Sequence, residues 1–77
     1  MKTLEAISDA VEKLERGDLS EEEALRTAVL VLEESTLAGE MGNIKVEMVR
    51  VMVNQWQDGD LTPQAAVQRI RIILKRK

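Results

Sequence analysis

Gly17-Asp18-Leu19-Ser20-Glu21-Glu22-Glu23 and, 42 residues further on, Gly59-Asp60-Leu61-Thr62-Pro63-Gln64-Ala65 are the stretches that decide how this chain folds. Each begins with a glycine that can take the left-handed conformation closing a helix. Each continues to a hydroxyl residue, Ser20 or Thr62, able to accept a hydrogen bond from the free amides opening the next helix. Ser20 with Glu23 has the capping-box spacing, and Pro63 follows Thr62 at the first helical position, where a missing N–H is harmless. Leu19 and Leu61 fall where a hydrophobic staple reaches Ala24 and Ala66. Each stretch therefore reads as a tight corner between two helices.

Working outward, the resemblance between the two corners extends into an internal repeat at an offset of 42. Residues 1–35 laid over 43–77 without gaps give identities at Glu5/Glu47, Val11/Val53, Gly17/Gly59, Asp18/Asp60, Leu19/Leu61, Ala24/Ala66 and Leu32/Leu74. Apolar character is also kept at Leu4/Val46, Ile7/Val49, Leu14/Trp56, Leu25/Val67, Ala28/Ile70 and Val31/Ile73. The expected fold is all-α: four helices at roughly 3–16, 20–37, 43–57 and 62–76, forming two similar helical hairpins packed as a four-helix bundle. The whole of 1–77 is expected to be a single domain, with repeat 1 at 1–35, a connector at 36–42 and repeat 2 at 43–77. The third helix has a competing reading. Ile44-Lys45-Val46-Glu47-Met48 alternates like a strand, and Val49, Val51 and Val53 are β-branched. Helix is the reading adopted, because the repeat maps the segment onto Leu4, Ile7, Val11 and Leu14, which have 3-4-3 spacing.

The composition removes whole classes of function. Among 77 residues there is no His, no Cys, no Phe or Tyr and one Trp. Disulfides, zinc-finger spacings, a thiol nucleophile and an imidazole base are thereby excluded. Ser8, Ser20 and Ser35 have no His to activate them, so no enzyme, catalytic residue or cofactor is expected. Glu21, Glu22 and Glu23 suit the first turn of a helix better than a metal, because carboxylates there favour the helix dipole. Asp58-Gly59-Asp60 echoes a calcium loop, but that register puts Trp56 at a ligand position and Ala65 where a bidentate Glu is needed. No metal site is expected. The longest apolar run, Ala28–Leu32, is far short of the roughly 20 residues of a membrane span. The acidic start, without an apolar leader stretch, leads us to expect a cytoplasmic protein.

Two surfaces are candidates for function. The first is apolar. The third helix carries a core stripe (Val46, Val49, Val53, Trp56) and a second one of Ile44, Met48, Val51 and Met52, where its counterpart has Lys2, Ala6, Asp9 and Ala10. Leu30 and Ile72, repeat-equivalent, sit on the backs of their helices. A girdle this broad marks a helix covered on more than one side. Ile44, Met48, Val51, Met52, Leu30 and Ile72 are the expected partner or dimer interface, and a chain this small has an energetic motive to associate. The second surface is basic. Arg69, Arg71, Lys75, Arg76 and Lys77 form a possible patch for an anionic partner, nucleic acid among them, although the chain as a whole has a net charge of −3. Residues 1–42 hold 4 basic and 11 acidic side chains, whereas 43–77 hold 7 and 3. Opposite charge on the two halves is expected either to draw the two hairpins together within one bundle or to let two chains meet acidic half to basic half, in antiparallel register.

Thr36-Leu37-Ala38-Gly39-Glu40 has the spacing of a hydroxyl residue, three residues, then Glu, and Gly59-Asp60-Leu61 follows as a Gly-acidic-aliphatic corner. In this it resembles the small antitoxins that inhibit Fic-type AMP-transferases. The resemblance covers about half the chain and implies a helical inhibitor of a partner enzyme. Met41 stands where that family has Gly or Asn, and Gly39 interrupts the stretch that must be helical, so no residue role is carried over. The reading that results is a small non-enzymatic regulatory or adaptor protein acting through protein–protein interaction, by self-association of its third helix. A nucleic-acid-binding regulator, or an antitoxin-like inhibitor, is the alternative.

Overall fold

A computed structural model describes residues 2–37, 39 and 43–75. They form α1 (Lys2–Glu15), α2 (Glu21–Leu37), α3 (Ile44–Gln57) and α4 (Pro63–Lys75). The boundaries follow from local chemistry. At the end of α1 the Gly17 amide donates to the Leu14 carbonyl (3.0 Å) and the Asp18 amide to the Lys13 carbonyl (2.8 Å). At the end of α3 the same pair of bonds recurs 42 residues on, Gly59 to Trp56 (3.1 Å) and Asp60 to Gln55 (2.8 Å). Both glycines are left-handed, with φ of 84° and 86°. This is the Schellman closure, which satisfies carbonyls that the helix itself leaves free.

The openings of the following helices are equally local. The Glu23 amide donates to Ser20 Oγ (3.2 Å) while the Ser20 amide donates to Glu23 Oε1 (3.1 Å), a complete capping box. The Ala65 amide donates to Thr62 Oγ1 (3.1 Å), and the Val46 amide to Asn43 Oδ1 (3.2 Å). Among the described residues α3 is helical throughout, and no strand is present. The β-branched residues are accommodated because Val46, Val49 and Val53, at 3-4 spacing, all turn inward and are buried.

The core draws on equivalent positions of both hairpins. Ile7 and Val49, Val11 and Val53, Ala24 and Ala66, Leu25 and Val67, and Ala28 and Ile70 are all buried. α1 packs chiefly on α2 and α3 on α4, as hairpins with short corners must. The hairpins then close on each other. The end of α1 meets α4, where Leu14 and Glu15 lie beside Val67 and Arg71. The start of α2 meets the end of α3, where Arg26 and Val29 lie beside Trp56. α1 and α3 are in the slightest contact, whereas α2 touches α3 and α4 alike. The Cα radius of gyration is 11.3 Å, against about 11.5 Å for a compact chain of this length.

Candidate interaction surface

Two grooves mark the seams where the hairpins meet, and they occupy repeat-equivalent positions. The α1–α4 groove is lined by Leu14, Glu15, Gln68 and Arg71 among others. The α2–α3 groove is lined by Trp56, Gln57, Arg26, Val29 and Leu30. At an offset of 42 four of the lining positions correspond: Leu14/Trp56, Glu15/Gln57, Arg26/Gln68 and Val29/Arg71. The substitutions give the grooves opposite characters. In the first, Arg71 Nε lies 3.0 Å from Glu15 Oε1 and bridges the seam. That nitrogen is buried without a well-aimed hydrogen bond, so the contact is mainly coulombic. In the second, Val29 and Gln57 stand at those positions and no ion pair spans the seam among the described residues. What remains is an open, largely apolar groove of about 720 Å³.

Beyond this groove the outer face of α3 is apolar. Ile44 and Val51 are 76% and 48% exposed, and Met48 lies between them at 4-3 spacing. These three line a shallow apolar depression of about 360 Å³ together with Glu47. At 100° per residue the stripe points away from Val46, Val49 and Val53. Burying one such side chain is worth about 1.5–3 kcal/mol relative to leaving it in water. Met48 and Met52 are half-buried and pack against the core. Both therefore contribute to the core, and Ile44 and Val51 are the residues presented outward. Leu30 and Ile72 are 62% and 64% exposed, alike on their two helices. Leu37, the last residue of α2, is 88% exposed. Sequence reasoning did not single it out, although its seven-residue spacing from Leu30 was the available signal.

The expected basic patch is divided. Arg69 and Lys75 are exposed on α4, whereas Arg71 is half-buried and held by Glu15. Arg76 and Lys77 lie outside the described residues. Of the stretch resembling the Fic inhibitors, Ala38, Glu40 and Met41 lie outside the described residues. α2 ends at Leu37, the Thr36 hydroxyl donates to the Leu32 carbonyl, and Gly39 has a φ of 75°.

Among the described residues no three acidic side chains converge into a cation-binding group. None of the described helices is long and apolar enough to cross a membrane. No protein-family model matches this chain, and neither does any curated protein or any solved structure.

Proposed function

We propose that this chain is a small non-enzymatic regulatory or adaptor protein that works through protein–protein contact, associating with itself along the outer face of α3. The observation that carries the reading is the stripe Ile44, Met48 and Val51, whose outward members are exposed on a helix that is otherwise well packed. Surface aliphatics scattered singly need no explanation, but two exposed ones on a single helix face, with the half-buried Met48 between them, are the pattern of a face that is covered in use. The positions 42 residues earlier, on α1, are Lys2, Ala6 and Asp9, so the apolar outer face of α3 has no counterpart there. The basic side chains of α4 support nucleic-acid binding less well, because Arg71 is committed to Glu15.

The test is Val51→Glu. Sedimentation across a concentration series is expected to show association in the native chain and a monomer in the variant, with far-UV helicity retained. A native chain that stays monomeric at every concentration removes self-association from the reading.

A further inference from the structure

We infer that the α2–α3 groove binds a small aliphatic carboxylate, a medium-chain fatty acid, with its charged end on Arg26 and its tail on Val29, Leu30 and Trp56. This groove is a different surface from the outer stripe of α3, and its occupation does not depend on self-association.

The groove has the size and make-up of a small-molecule site. Its volume of about 720 Å³ falls within the roughly 300–1,000 Å³ usual for such sites, which are mostly apolar with a few polar groups to fix orientation. Val29 and Leu30 contribute from α2 and Trp56 from α3, so the apolar wall is built from both helices. Leu30 is largely exposed, and Trp56, the one aromatic residue of the chain, is half-buried and not enclosed in the core. An indole offers a large apolar area for a ligand to cover. Arg26 and Gln57 are the polar groups beside this wall.

Arg26 selects the charge of the ligand. Glu22 and Glu23 stand one turn before it on α2, at the spacing where a helix pairs opposite charges. Among the described residues the Arg26 side chain nonetheless makes no ion pair and no hydrogen bond. The groove supplies no partner either, since no carboxylate lines it among the described residues. The other concave places differ in this respect. The α1–α4 groove contains Glu15 and Glu21, with Glu15 holding Arg71, and the depression on α3 contains Glu47. The position equivalent to Glu15 is here Gln57, a neutral amide. A guanidinium with all its donors free is thus left beside an apolar wall. A carboxylate matches it in charge and in planar shape, and can accept two parallel N–H bonds from it.

The surroundings restrict the ligand to one negative charge. Glu22, one turn before Arg26, and Glu33, one turn beyond Val29, are both exposed. At 100° per residue they lie within about 40° of Arg26 around α2, so they flank the lining stretch at its two ends. A nucleic acid, a polyphosphate or an acidic peptide would bring further negative charge against them. A molecule with a single carboxylate and a neutral body meets Arg26 alone. Its body must also have length, because Leu30 lies four residues beyond Arg26, about 6 Å along the helix axis. An aliphatic tail of several carbons satisfies both conditions.

Trp56 is the only Trp of the chain, so its fluorescence reports on the groove and a titration with octanoate tests the site. A saturable change is expected with octanoate. Acetate, which has the charge without the tail, and octylammonium, which has the tail with the opposite charge, are expected to bind at least ten-fold more weakly. Arg26→Gln is expected to weaken octanoate about ten-fold and to leave octanol, the uncharged analogue, unchanged, with helicity retained in circular dichroism. Arg69→Gln, which removes an exposed cation from α4, is expected to leave octanoate binding as it was. Val51→Glu is expected to bind octanoate like the native chain, so that this site and self-association stand or fall separately. No saturable change with octanoate overturns the inference. So does an equal response to acetate, which means an adventitious ion only, and so does octylammonium binding as tightly, which means that Glu22 and Glu33 set the charge of the site. Equal losses in Arg26→Gln and Arg69→Gln overturn it as well.

Discussion

Gly17 and Gly59 show how far a single residue type reaches in this fold. Each takes a φ that an L side chain adopts only at a cost, and each lies in open space, with nothing within 4 Å of where a Cβ would stand. Replacement by Ala therefore tests backbone strain free of any clash. Gly59→Ala is expected to lower stability by about 1 kcal/mol in denaturant unfolding, with Gly59→Asn losing less, because Asn tolerates the left-handed region. The equivalent change at Gly17 is expected to behave alike, since the hydrogen bonds around the two glycines are the same. Ser20 is the other local determinant. Ser20→Ala removes one half of a reciprocal pair with Glu23 and is expected to lose about 1 kcal/mol. These residues were legible in the sequence because their partners are three or four positions away.

At the scale of the element, α3 is where sequence patterning was least decisive. Its wheel carries apolar residues on most sides, so periodicity marks two stripes without saying which is core. The packing divides adjacent residues. Val51 is half-exposed, while Met52, the next residue, packs against the core. Charge at the two positions is accordingly expected to act differently. Met52→Glu places a carboxylate where it is partly desolvated and is expected to lower the melting temperature clearly. Val51→Glu is expected to leave it nearly unchanged under conditions where the chain is monomeric. Thermal melts followed by circular dichroism separate the two. Equal losses at both positions would place the second stripe in the core. The Arg71–Glu15 bridge is likewise a product of packing between elements, and a partly exposed pair of this kind contributes well under about 1 kcal/mol.

For the whole molecule, the two hairpins are interdependent. Their buried faces, Ile7, Val11, Leu25 and Ala28 on one side and Val49, Val53, Val67 and Ile70 on the other, form one cluster. Neither half can bury its apolar face alone, and isolated helices of 13 to 17 residues are marginal in water. Peptides 1–42 and 43–77 are therefore expected to be largely unstructured apart and to gain helicity on mixing. Their opposite charges, 4 basic with 11 acidic against 7 with 3, favour that encounter. Complementation should accordingly weaken as salt is raised. Full helicity of either peptide alone would make each hairpin an independent unit.

Local chemistry settled the plan of this protein before any tertiary contact is considered. Four helices, two glycine-closed corners, two hydroxyl caps and a core pattern repeated at 42 residues can all be read from neighbours a few positions apart. Tertiary structure decided what lies opposite each outward face. It put Arg71 against Glu15 in one seam and left Val29, Leu30 and Trp56 open in the other. It turned Met48 and Met52 toward the core and left Ile44 and Val51 at the surface. The reason is geometric. A helical wheel fixes the direction in which a side chain points, but burial and charge pairing depend on which helix arrives on that side, and residues far apart in the chain determine that.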